Sequence, residues 1–189
     1  MKIQIFIQTY IKTNFNQMEK IMNNKRNDNK DDLSEFKIKD LLNSVFNDIE
    51  ATSIGNKKST GIPVNFYDFD AITQGLSPGN LYVIGGRPAM GKTSFVLNIA
   101  KNISQINNLP ICFFSLETSQ KMLCHRLLSM EIGIESGRLR TGRLTQEEWP
   151  ILGEAISFLN KNPIYLIDKA LIQVSEIYQI CKKVKNIHK

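Results

Sequence analysis

GRPAMGKT, Gly86 to Thr93, is the stretch that decides the fold. Its spacing is glycine, four residues, then glycine, lysine and threonine. It comes one residue after the apolar run LYVI at Leu81 to Ile84 and leads into a segment with helical periodicity. Strand before and helix after is the setting of a P-loop, a backbone cradle for phosphates. Gly86 and Gly91 permit backbone angles and close approaches that a Cβ would block, so successive N–H groups can turn inward toward phosphate oxygens. A helix starting near Lys92 adds its positive N-terminal end. The expected cradle is Gly86, Arg87, Pro88, Ala89, Met90, Gly91, Lys92 and Thr93, with Pro88 stiffening it. Lys92 is placed to reach the β- and γ-phosphates of ATP, and the Thr93 hydroxyl to ligate the Mg2+ that bridges them. The blander reading, a glycine-rich turn beside an exposed lysine, leaves the two glycines, the lysine and the threonine as coincidence.

Outward from this loop, strand-like and helix-like segments alternate from about residue 61 onward, the pattern of an α/β domain with a parallel sheet flanked by helices. Leu81 to Ile84, Ile111 to Phe114 and Ile164 to Ile167 read as its strands, apolar throughout as strands covered on both faces are. Phe95, Val96, Ile99, Ala100 and Ile103 mark the buried face of one helix. Leu123, Leu127 and Met130 mark a second. Val174, Ile177, Tyr178, Cys181 and Val184 mark a third.

The first third is different. Residues 1–32 end in NNKRNDNKDD and carry too little apolar surface to offset the entropy of ordering, so they read as a mobile polar leader. In residues 33–51, Leu33, Phe36, Ile38, Leu41, Leu42, Val45, Phe46 and Ile49 recur at three-to-four-residue spacing. Asp31, Asp32 or Ser34 can cap them, so one amphipathic helix is expected. It either packs on its own domain or docks on a neighbouring subunit.

At 189 residues the chain has room for one core. The formal charge of +6, from 24 Lys and Arg against 18 Asp and Glu, suits an anionic partner. An A- and T-rich gene, common in organelles and some bacteria, explains the abundant Lys, Asn and Ile equally well. Three cysteines without paired spacing indicate neither a disulfide framework nor a zinc site. They imply a reducing compartment, and adjacent Cys124 and His125 read as core packing. No stretch approaches the roughly 20 apolar residues of a membrane span. The N-terminus has neither a secretory cleavage site nor the arginines of a transit peptide.

Beyond the P-loop, GIPVNFYDFDAITQGLSPGNLYVIGGRPAMGKTSFVLNIA at Gly61 to Ala100 resembles the opening of the ATPase domain of DnaB-type replicative DNA helicases. FFSLETS at Phe113 to Ser119, RLLS at Arg126 to Ser129, RLRTGRLTQEEWP at Arg138 to Pro150 and VSEI at Val174 to Ile177 follow in that family's order. Together they cover about two-thirds of the chain. The resemblance implies a RecA-like P-loop NTPase fold spanning 61–189, preceded by a linker helix and incomplete at the C-terminus. It also implies an ATP-dependent helicase that assembles as a hexameric ring around single-stranded DNA, with ATP and Mg2+ between subunits. Lys92 and Glu117 are the implied catalytic residues. Glu117, in FSLE, would orient the water that attacks the γ-phosphate; without the family it reads as an acid complementing a helix N-terminus. The resemblance also favours the docking role for the 33–51 helix. Trp149 reads as a packing residue, and Arg138, Arg140 and Arg143 stay unassigned.

Three departures from the family pattern stand out. The family's N-terminal helical domain, which helps assemble the ring and contacts primase, is not expected here. The chain ends where the family places its metal-orienting Asp, DNA-contacting loops and arginine finger. IYLID, Ile164 to Asp168, imitates that metal-orienting strand but aligns with an earlier one. Val64 and Asn65, where the family has Thr-Gly, read as a looser turn. The leading expectation is thus a replicative helicase subunit, as a fragment or one part of a split gene with a companion chain. The alternatives are an ATP-binding module without turnover, or a RecA-type recombinase, against which the RTG and EEWP strings argue. A bacterial-type replication protein with this composition points to the plastid stroma, or else to a bacterial cytoplasm.

Overall fold

The computed structural model describes residues 4–5, 38–53 and 61–188. The element order is β1 (Gln4–Ile5), α1 (Ile38–Ser53), α2 (Tyr67–Thr73), β2 (Val83–Ile84), α3 (Lys92–Asn107), β3 (Ile111–Phe114), α4 (Gln120–Ile132), α5 (Ser136–Thr141), α6 (Glu148–Leu159), β4 (Ile164–Ile167) and α7 (Val174–Ile187). Among the described residues no helix is long and apolar enough to cross a membrane.

α3 is the centre of the core. Val96, Leu97, Ile99, Ala100 and Ile103, four of them anticipated from spacing, are buried against Ile111 and Phe113 of β3, Leu123 and Leu127 of α4, and Ile62, Val64 and Leu76. Each fully buried Leu or Ile contributes roughly 1.5–3 kcal/mol of transfer free energy. Phe95 stands at the edge of this layer, its ring 5.0 Å from that of Phe66 and 6.4 Å from that of Phe69. The helix ends at Asn108, which adopts the left-handed conformation (φ 49°). Pro110 then prevents continuation.

β3 and β4 pair in parallel, Ile111 opposite Ile164 through Phe114 opposite Ile167, within the strand limits expected from sequence. A second, smaller cluster of Cys112, Cys181 and Val184 seats α7 on the far side of these strands, with Phe114, Tyr165, Ile167 and Ile177 against it. The Cys112 thiol is pushed well above its ordinary range by its contact with Cys181 and by burial. That keeps it an unreactive packing group.

Several expectations need correction. The P-loop strand is shorter than Leu81 to Ile84, and it pairs antiparallel with β1, Ile5 opposite Val83, rather than joining the parallel pair. Val83 is 62% exposed. An apolar run announces a strand but carries no record of which neighbour will hydrogen-bond to it. Gln4 and Ile5 therefore lie in a strand, where the sequence suggested only a mobile leader; the remainder of 1–32 lies outside the described residues. So do Leu33, Phe36 and the caps considered for the amphipathic helix, which is described from Ile38 onward.

Val64 and Asn65 do not loosen their turn. Both backbone N–H groups donate to the Asp70 carboxylate at 2.9 Å, Asn65 takes φ 63°, and Asn102 donates to the Val64 carbonyl at 2.9 Å. The carboxylate performs the work that a more flexible residue would otherwise do. Trp149 is 56% exposed and Val174 83% exposed, so neither packs as expected; both sit in the first turn of a helix, ahead of the stripe that reaches the core. Cys124 is likewise exposed, because α4 turns Leu123 and Leu127 inward and Cys124 away from them.

Candidate functional site

The candidate loop sits between β2 and α3, with Gly86, Lys92 and Thr93 half-buried and Arg87, Pro88, Ala89, Met90 and Gly91 exposed. Its curvature comes from two left-handed residues, Ala89 at φ 62° and Gly91 at φ 78°. At Gly91 the glycine is required by this angle, since an added Cβ would meet nothing within 4 Å. At Gly86 the angle is ordinary, and an added Cβ would make only van der Waals contact, 3.5 Å from Cγ of Lys92. Of the two glycines expected to permit special backbone angles, only Gly91 adopts one. A non-glycine such as Ala89 in the left-handed region costs on the order of 1 kcal/mol, a strain that often accompanies binding loops.

Gly91 is also the N-cap of α3, and no side chain caps that end. The start of a 16-residue helix thus presents backbone N–H groups and the positive end of its dipole beside the loop. The Lys92 ammonium folds back over the loop, donating to the carbonyls of Gly86 at 3.1 Å and Arg87 at 3.0 Å. A cation held over the loop carbonyls at an uncapped helix start, with a threonine next in sequence, is a donor set suited to a polyphosphate with a hard divalent cation.

Glu117 lies in the turn between β3 and α4 and is exposed. α3 runs away from the loop, Asn108 to Pro110 reverse the chain, and β3 returns against α3. Glu117 thus follows a strand that packs on the helix headed by the loop. Asp168 follows β4, the neighbouring strand, and its Oδ2 accepts from the Gln120 N–H at 3.0 Å. Nothing in the local sequence pointed to this contact, since the two residues are 48 apart.

The arginine cluster resolves into a structural element. Arg138 forms an ion pair with Glu148 at 2.7 Å and donates through Nε to the Arg143 carbonyl at 3.2 Å. Gly142, at φ 68°, ends α5 between them. The RTG string, Arg140 to Gly142, is thus a helix stop pinned by Arg138 two residues before it, while Arg140 and Arg143 remain exposed. The Thr145 N–H, and after it Arg138, hold the Glu148 carboxyl below its ordinary range.

Comparison with known proteins accords with this geometry. The sequence model of the DnaB-like helicase C-terminal domain matches residues 61–189. The replicative DNA helicase DnaB of Nostoc sp. is 46% identical over 140 residues, covering 74% of this chain and 16% of that protein. A probable replicative DNA helicase of Trieres chinensis is 44% identical over 123 residues, covering 65% of this chain and 27% of that protein. A solved DnaB-like replicative helicase, described with its interactions with primase, superposes with a TM-score of 0.70 at 28% identity, covering 92% of this chain and 40% of that one. The chain thus spans less than a third of the length of these curated relatives, and the RecA-like ATPase fold expected from the motifs is the one it adopts. With the family's sequence model matched across more than half of its residues, this chain belongs to the DnaB-like helicase C-terminal domain family.

Proposed function

We propose that residues 61–189 form the nucleotide-binding part of a replicative DNA helicase subunit, which hydrolyses ATP to move on single-stranded DNA within a hexameric ring. The observation that carries this reading is the loop Gly86 to Thr93. It is a left-handed bend with a lysine folded over it at the uncapped start of α3, in a chain of this family. The backbone N–H groups and Lys92 bind and orient the β- and γ-phosphates, and the Thr93 hydroxyl supplies an oxygen ligand for Mg2+. When bound, Mg2+ offsets the charge on the phosphate oxygens. The Glu117 carboxylate accepts a hydrogen bond from the attacking water and sets its direction toward the γ-phosphate.

Ring assembly is supported by α1, whose Ile38, Leu42, Val45, Phe46 and Ile49 form an apolar stripe that is at least 50% exposed at every position. Such a helix gains most by lying on a neighbouring subunit. The +6 charge favours an anionic polymer as the other partner. Composition, together with relatives in Trieres chinensis and Guillardia theta, favours the plastid stroma over a bacterial cytoplasm.

The test is ATP hydrolysis by the 189-residue chain with and without single-stranded DNA, beside binding of a fluorescent ATP analogue in Mg2+. Binding together with DNA-stimulated turnover that Glu117→Gln removes is the expected result. Failure to bind the analogue would sink the proposal, and binding without turnover would restrict it to an ATP-binding module.

A further inference from the structure

The turn that carries Glu117 is held at both ends by one strand. At its start, the Ser115 N–H donates to the Ile167 carbonyl at 2.7 Å, and the buried Ser115 hydroxyl oxygen accepts from the Thr118 N–H at 3.0 Å. At its end, the Gln120 N–H donates to Oδ2 of Asp168 at 3.0 Å, and the Gln120 side-chain amide donates to the Leu166 carbonyl at 2.8 Å. Leu166, Ile167 and Asp168, three consecutive residues, thus hold both the entry to the turn and its exit.

The geometry points to Asp168 as a positioning residue for Glu117. This rests on the role proposed above for Glu117. Gln120 opens α4, so its N–H is one of the helix-end donors with no partner inside the helix. Ser119, the N-cap, uses its hydroxyl oxygen on the Met122 N–H, three residues further on. Asp168 therefore supplies the acceptor that the helix lacks for its first amide. As a carboxylate at a helix N-terminus it does so with a charge-assisted bond and a favourable dipole interaction. Because β4 is itself locked in register with β3, the carboxylate ties the start of α4 to the sheet. Glu117 is thus carried between two fixed points, which constrain the backbone that presents its side chain. A displacement of about 1 Å in a group that orients a reacting water can cost on the order of 100-fold in rate, so such a clamp affects turnover without touching nucleotide.

The experiment uses the 189-residue chain and two readouts. One is hydrogen exchange of the segment Leu116 to Lys121. The other is the preference for ADP–fluoroaluminate, a planar mimic of the transferring phosphoryl group, over ADP, in Mg2+. Asp168→Ala is expected to speed exchange in this segment by about 10-fold while leaving α3 protected and ADP affinity within about 2-fold, and to lower the preference for the mimic by about 10-fold. Asp168→Asn, whose amide oxygen still accepts from the Gln120 N–H, should restore most of both effects. Glu117→Gln should remove the preference and leave exchange unchanged. Unaltered exchange in Asp168→Ala would overturn the proposal. So would faster exchange with the preference intact, provided Glu117→Gln still removes it. Should Glu117→Gln keep the preference, the role of Glu117 has failed and the positioning role falls with it, although the exchange data would still show the clamp. If Asp168→Ala also unprotects α3, Asp168→Glu replaces it: the charge is kept, the acceptor moves by about 1.5 Å, and the same two readouts decide.

Discussion

The loop Gly86 to Thr93 and the Glu117 turn each follow a strand and lead into a helix, yet they are held by opposite means. Lys92 reaches only to Gly86 and Arg87, six and five residues back. Gln120, at the end of the Glu117 turn, is held by Leu166 and Asp168, 46 and 48 residues ahead. The first arrangement exists as soon as one strand, one loop and one helix are formed. The second exists only after α4, α5 and α6 have packed and β4 has found its register. The loop proposed to bind phosphates is thus built from local backbone geometry, whereas the group proposed to direct the chemistry depends on the whole fold.

The largest effect should come from striking the long-range side. Leu123 is fully buried and joins α4 to α3 and β3, so Leu123→Ala should cost about 2–5 kcal/mol. In urea denaturation this would appear as a lower midpoint, accompanied by faster exchange in the Glu117 turn. If the turn kept its protection, its hold would be local after all and the contrast would disappear.

Lys92→Ala attacks the local side. Hydrogen bonds to charged groups are worth about 1.5–3 kcal/mol, so the fluorescent ATP analogue should bind about 10- to 100-fold more weakly. The unfolding midpoint should barely move, because the lysine's partners are two loop carbonyls at its own end of α3. A midpoint shift as large as that of Leu123→Ala would make Lys92 a structural residue.

Asp70 sharpens the comparison, being local in sequence but structural in effect. Its carboxylate accepts from Val64 and Asn65, six and five residues back, and Val64 is fully buried. Asp70→Ala leaves two N–H groups without that acceptor and should cost about 1–2 kcal/mol in thermal unfolding with nucleotide binding unchanged. Weaker nucleotide binding would show that local contacts in this chain are not independent of the site.

The smallest effect is set by pH. The Glu148 carboxyl is held below its ordinary range by the Thr145 N–H and by Arg138, so the stabilisation is present at neutral pH. It is lost as pH falls through that lowered range. Exchange in α5 and α6 should rise below about pH 4, and Glu148→Gln should make it insensitive.

Much of the fold was legible in residues alone. β3 and β4 fall within the limits that their apolar runs indicate, and Val96, Ile99, Ala100 and Ile103 lie on the buried face that their spacing marks. The sequence reading missed α2 and α5, whose seven and six residues are too short to display a period. It placed β2 among the parallel strands, whereas it pairs antiparallel with β1, and it missed the grip of Asp70 on Val64 and Asn65. Trp149 shows a different limit, since an aromatic in a motif string says nothing about which way its helix will turn it.

By itself, then, the sequence determined the elements whose causes are local: β3 and β4, the main helix faces, the left-handed turn at Gly91, and Lys92 at the head of α3. Those follow from side-chain periodicity, backbone angles and hydrogen bonds across a few residues. Only the tertiary structure decided that β2 pairs with Gln4 and Ile5, that α1 shows its apolar stripe to the outside, and that Asp168 holds the first amide of α4. Partners separated by tens of residues meet through the packing of everything between them, and no short window of sequence contains that information.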